Sequence, residues 1–262
     1  MKAKWFSTFS ILAILLITLV TVVGAAASFI DRQANNPQVS GDASSNSTAV
    51  FPTNKQNEPT IAVNPTNSSI LLAGSNDEQR QPACGPGPVR GAGAPANDCS
   101  FFTDVGTSGI YRSTNGGSTL TNLGLLDDQS SWIASDLVSD GDPVIVYGPK
   151  PTVNGGFSYT NGARAYYATL ASYKTNRSPF PPQKAPELLA VSYSDDNGTT
   201  WSAPVIAVVK DNPNNFNDKE SFWADNNPNS AFFGRVYMSW TQFRSATFTG
   251  NGNEPVKVTF SA

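Results

Sequence analysis

From residue 57 onward the chain is written in short apolar or aromatic runs separated by clusters of Gly, Asn, Pro and Asp. The runs at 61–63, 70–73, 144–147, 165–170, 188–193, 205–209, 236–240 and 256–260 are too short for helices and are bounded by turn formers. No helical periodicity of useful length follows residue 31, so the pattern predicts an all-β chain. Residues 28–56 are rich in Asn, Ser and Gln with few large apolar side chains, and read as a disordered tether.

Repetition organises the runs. An acidic residue, an apolar run, a Pro/Asn turn and a second run recur from Glu58, Asp142 and Glu220, spaced 84 and 78 residues apart. A second element keeps the same period. Ser113-Thr114-Asn115-Gly116-Gly117-Ser118-Thr119-Leu120 and Ser194-Asp195-Asp196-Asn197-Gly198-Thr199-Thr200-Trp201 align as S-x-[DN]-x-G-x-T-[WL], 81 residues apart. Physically the octet is a hairpin turn. Ser194 and Asp196 bond backbone N–H groups, Gly198 supplies a positive φ, and Trp201 packs between sheets.

That octet resembles the Asp-box, or BNR repeat, of the sialidase-like β-propellers. The second copy (Ser194, Asp196, Gly198, Thr200, Trp201) matches at every defining position. The first (Ser113, Asn115, Gly117, Thr119) departs by Asn115 for Asp and Leu120 for Trp. The wider text from 57 to 262 is similar to bacterial exported proteins described as exo-α-sialidase-like. The resemblance implies four-stranded blades, with the box between the third and fourth strands and away from the active face, hence structural. Blades of about 58–126, 142–209 and 220–262 then give an incomplete sialidase-like β-propeller of about two and three-quarter blades. Propellers close with roughly four to eight blades, so the expectation is the N-terminal piece of a longer protein whose remaining blades complete the ring.

Composition narrows the chemistry. With no His, a His base, a His metal ligand and a Ser-His-Asp triad are excluded within this chain, and two Cys alone cannot build a structural zinc site. No metal site or cofactor is expected: Asp195-Asp196-Asn197-Gly198 lacks calcium-loop spacing, and no glycine loop opens a helix. A net charge of −3 gives no electrostatic case for nucleic acid. Lys2 and Lys4 precede an uncharged stretch over residues 5–30 that ends near Ala25-Ala26-Ala27, the layout of a signal peptide (residues 1–27) or of an uncleaved membrane anchor. Either predicts a secreted or extracytoplasmic protein, in which Cys84 and Cys99 form a disulfide within an insertion.

In sialidases resembling this fold an arginine triad, a tyrosine–glutamate pair and an aspartate act on the substrate. The F/Y-R-I-P motif of the first arginine is absent, and Tyr111-Arg112-Ser113 runs straight into the box, making Arg112 a strand residue. Glu58, Asp142 and Glu220, placed just ahead of the first strand of each repeat, are the catalytic candidates as a carboxylate ring at the channel mouth; the competing reading is that they satisfy local backbone donors. Asp218, Lys219, Asp225 and Arg235, beside Phe222 and Trp223, are candidate glycan contacts or structural ion pairs. The function expected is glycan-directed and exo-glycosidase-like only once further blades complete it. The alternative is a non-catalytic extracellular propeller that binds a glycan or a cell-surface protein.

Overall fold

The computed structural model describes residues 30–35, 56–80, 104–176, 188–209, 215–244 and 254–261. Within them the fold is all-β and antiparallel. The strands are β1 (Gln56–Val63), β2 (Leu71–Asp77), β3 (Ser108–Ser113), β4 (Thr121–Leu125), β5 (Leu137–Pro151), β6 (Phe157–Tyr173), β7 (Leu188–Ser194), β8 (Val205–Val209), β9 (Asn215–Ala224), β10 (Val236–Arg244) and β11 (Val256–Phe260). They form three meanders, β1-β2-β3-β4, β5-β6-β7-β8 and β9-β10-β11, and none of these sheets is closed. All belong to one compact unit, Arg32–Ala262. The only helical pieces among the described residues are single turns at Leu126–Asp128 and Ser130–Ile133.

Every apolar run read from the sequence lies in a strand or, at Ile70, one residue before it. The strand starts differ from expectation. β5 begins at Leu137 and β9 at Asn215, so Asp142 and Glu220 lie inside strands rather than ahead of them, and so does Glu58 in β1. Polar residues hide the true starts, because they still pair through their backbones. They lie at Gln56-Asn57 in β1, at Asn215, Asn217 and Asp218 in β9 and, in β5, at Ser139-Asp140-Gly141 between Leu137-Val138 and the apolar run. Gln56, placed in the tether by its composition, opens β1 and pairs with Asp77.

Two apolar cores hold the sheets face to face. Leu72 and Ile110 of the first sheet pack with Ile145, Tyr147, Tyr167 and Trp201 of the second. Tyr166, Ala168 and Leu189, on the opposite face of the second sheet, pack with Phe222, Met238 and Trp240 of the third. The alternation that puts Tyr166 on one face and Tyr167 on the other is the period of a strand buried on both sides. Tyr167 meets Trp201 edge to face at 5.5 Å, and Tyr166 meets Phe222 at 6.2 Å. Fully burying each such side chain contributes roughly 1.5–3 kcal/mol.

No helix among the described residues is long and apolar enough to cross a membrane. The signal peptide expected at 1–27, the alternative anchor stretch 5–30 except Ile30, and the Cys84–Cys99 pair lie outside the described residues.

Candidate functional site

The three first strands share one irregularity. Register shifts interrupt β1 between Asn57 and Thr60, β5 between Gly141 and Val144, and β9 opposite Ser239 and Thr241. At each bulge one non-glycine residue takes a left-handed backbone: Glu58 at φ 52°, Asp142 at φ 50° and Lys219 at φ 55°. Such a conformation costs an L-residue about 1–2 kcal/mol, so three at equivalent positions mark a conserved local geometry within the chain. The bulge corrects the sequence alignment. The counterpart of Glu58 and Asp142 is Lys219, whereas Glu220 takes the place that Pro59 and Pro143 occupy.

These three residues meet. Lys219 Nζ lies 2.9 and 3.1 Å from the Glu58 carboxylate oxygens and 3.1 Å from Asp142 Oδ2, bridging residues 161 and 77 positions away. Asn76 Nδ2, from the end of β2, donates to Asp142 Oδ1 at 3.1 Å, while Asn76 Oδ1 accepts the Asp142 backbone N–H. Lys219 and Glu58 are 56% and 41% exposed, so the ion pair itself adds at most about 1 kcal/mol to stability. Its value is positional: it holds three sheets' bulges at one point.

The carboxyl groups around that point are driven apart electrostatically. Burial pushes Asp142 up, but its hydrogen bonding with Asn76, Glu58, Lys219 and Asp218 outweighs it and holds the group below the ordinary aspartate value. Asp218 is raised, by burial and by the hydrogen bond it shares with Asp142. Glu220 is raised well above the ordinary glutamate value by burial, reinforced by the negative charges of Asp142 and Asp218. It is only 6% exposed, and neither carboxyl oxygen has a hydrogen-bond partner. The three carboxyl groups are therefore shifted in opposite senses, Asp142 downward and Asp218 and Glu220 upward. Among the described residues no group of three or more His, Cys, Asp or Glu is placed to hold a metal ion.

The other expected glycan contacts lie elsewhere. Asp225 directly follows β9 and closes a turn, accepting from Ser230 Oγ at 2.6 Å and from the Asn227 N–H at 3.1 Å. Arg235 stacks over the rings of Phe232 and Phe260 at 4.6 and 4.7 Å. Six residues separate Asp218 from Asp225, a span of up to roughly 23 Å of chain. The four residues therefore form two separate groups.

Both octets are hairpin turns, β3 to β4 and β7 to β8, with one hydrogen-bond plan. Ser194 Oγ accepts the Gly198 N–H at 2.8 Å and donates to Asp196 Oδ1; Asp196 accepts the Thr200 N–H at 2.9 Å and the Thr200 hydroxyl at 2.6 Å. Ser113, Asn115, Gly117 and Thr119 repeat this at 2.9 Å throughout, except that Asn115 Nδ2 donates to the Thr119 hydroxyl instead of accepting from it. Burial pushes Asp196 up, but its Thr200 and Ser194 bonds prevail and hold it low. Arg112 Nη1 reaches Thr199 Oγ1 at 2.6 Å, tying the first sheet to the second turn.

Two further polar features escaped the sequence. Tyr111 Oη donates to the buried Asp77 carboxylate at 2.6 Å and Gln56 Nε2 at 2.9 Å, while Ser75 Oγ lies 3.0 Å from the Tyr111 hydroxyl. Burial and the Asp77 charge push the Tyr111 hydroxyl far up, so it stays neutral. A cavity of about 360 Å³ is lined by Arg80, Asp104, Asp127, Trp132 and Lys174 among others. Its charges are engaged: Arg80 with Asp128, Lys174 with the carbonyls of Trp132, Ile133 and Ser135, Asp104 with Thr175. Only the run Ser75-Asn76-Asp77-Glu78, polar at the end of an apolar strand, hinted at either. No family model and no curated protein matches this chain.

Proposed function

We propose that the chain forms part of an extracytoplasmic sialidase-like β-propeller that binds glycans at the mouth of its axial channel. The observation that carries this reading is the convergence of Glu58, Asp142 and Lys219, register-equivalent bulge residues of three successive sheets, on one ion cluster. Strands that line a common axis bring equivalent residues together in this way. The two matching Ser-Asx turns, each between the third and fourth strands of a sheet, add support from the far end of those strands. Around the axis, Glu58 and Asp142 offer acceptors to sugar hydroxyls and Lys219 offers a donor. Further sheets complete the ring, and exo-glycosidase chemistry arises only in that complete form.

Within this chain alone the binding reading is favoured over catalysis. Tyr111 is 2% exposed and both carboxyl oxygens of Glu220 are buried, so neither side chain is accessible to a glycoside. The test is a glycan array with the purified protein, alongside Lys219→Ala and Asp142→Asn and a fluorogenic sialoside. The reading expects glycan binding that both substitutions abolish, with no turnover. Absence of glycan binding, or binding that neither substitution changes, refutes the mouth as the site; measurable turnover refutes the binding-only assignment for this chain.

A further inference from the structure

The two internal sheet–sheet contacts are built alike. In each, the first strand of the following sheet lies across three strands of the sheet before it: β5 across β1, β2 and β3, and β9 across β5, β6 and β7. The residues inserted lie three and five positions past the bulge residue. They are Ile145 and Tyr147 in the first contact, 3% and 4% exposed, and Phe222 and Ala224 in the second, 7% and 2% exposed. Their counterparts in β1, Ile61 and Val63, are 62% and 50% exposed. Ala34 and Asn35 share a small cavity with Ala73 and Tyr111 on this sheet; Ile61 and Val63 do not line it.

The receiving face also recurs once more than it is used. Ala62 pairs with Leu72, Val146 with Tyr166, and Trp223 with Tyr237, each first-strand residue lying four past its bulge. Leu72 and Tyr166 are covered by the following sheet. On the third sheet the equivalent row is Trp223, Tyr237 and Phe260, in ring contact at 5.6 and 6.2 Å, with Val258 beside it. Trp223, Val258 and Phe260 are 59%, 65% and 57% exposed. An apolar patch of this kind on a sheet face marks an interaction surface.

We infer that a second copy of this chain lays its β1, through Ile61 and Val63, across Trp223, Tyr237 and Phe260 of the first copy. The contact continues the pattern that the molecule already uses twice, and joins two different faces head to tail. It goes beyond the glycan-binding reading, because it stands on the sheet packing alone and supplies the further sheets that reading calls for. A head-to-tail contact closes into a ring when its rotation allows.

Sedimentation of the purified protein across a hundredfold concentration range tests it, with Trp223→Asp and Val63→Asp, both at exposed positions. The expected result is concentration-dependent association that each substitution weakens by about tenfold or more. Mixing the two variants restores a heterodimer, since each keeps the face the other lacks. A monomer at every concentration overturns the inference and leaves both faces to further sheets of a longer polypeptide. Association that neither variant weakens overturns it too, as does association lost in Trp223→Asp and intact in Val63→Asp, which marks a face-to-face dimer. Loss of glycan binding in variants that still associate bears on the glycan reading alone.

Discussion

Replacing Glu220 by glutamine removes a proton that the folded chain holds and the unfolded chain gives up. Below the ordinary glutamate value, near 4.3, both states carry that proton and the group contributes no pH dependence. Above it the unfolded chain ionises while the buried carboxyl, raised by its burial and by Asp142 and Asp218, stays protonated. The folded state then binds one proton more, and stability falls by about 1.4 kcal/mol for each pH unit until Glu220 itself ionises. At 6% exposure the group has little water to moderate this. Glutamine cannot ionise, so the difference between variant and wild type grows in the variant's favour by that amount per unit across the window. The carboxamide's unpaired donors add an offset of about 1–3 kcal/mol against the variant, but this offset is independent of pH. Urea unfolding of both proteins at half-unit steps from pH 4 to pH 7 reads the slope. Parallel stability profiles, or a difference that shrinks as pH rises, would refute the assignment of Glu220 as a buried proton-holding carboxyl.

Three other outcomes follow from the turns and the packing. Gly198→Ala meets both a positive φ of 79° and the Leu72 Cδ2 atom 2.7 Å from the new Cβ, whereas Gly116→Ala at φ 68° has open space around it. Both lose roughly 1 kcal/mol to backbone strain, and Gly198→Ala loses measurably more in thermal or urea unfolding; equal losses contradict the close packing of the turn on the first sheet. Ser194→Ala removes the acceptor of the Gly198 N–H and is expected to cost about 1–3 kcal/mol, while Asn115→Asp lets Thr119 donate as Thr200 does and is expected to be neutral or slightly stabilising. Trp132→Phe deletes the 2.8 Å bond from its indole N–H to Ser192 Oγ, leaving a buried hydroxyl without that donor, and a loss of about 1–3 kcal/mol by urea midpoint is the expected reading.

The octets were legible because their hydrogen bonds are local. Ser194 reaches only two and four residues ahead, so the motif carries its own geometry. The stacking of sheets was legible through the repeat, as the apolar runs fix which strands exist. The ion cluster at the bulges was half legible. Aligning Glu220 with Glu58 and Asp142 follows chemical type, but the bulge assigns positions by backbone, and there Lys219 is the counterpart. Strand extension also separated Asp218 and Lys219, at the bulge within β9, from Asp225 just past its end and Arg235 just ahead of β10. Asn76, which fixes Asp142 through two hydrogen bonds, comes from a strand 66 residues away and leaves no periodic trace.

The most direct test of the central claim is a crystal structure of the assembled protein, read for what lies at the point where the first strands meet. The expected result is successive sheets arranged round a common axis, with Glu58, Asp142 and Lys219 facing it from equivalent bulges. Sheets stacked as flat layers, with the bulges of β1, β5 and β9 opening onto separate surfaces, would contradict it.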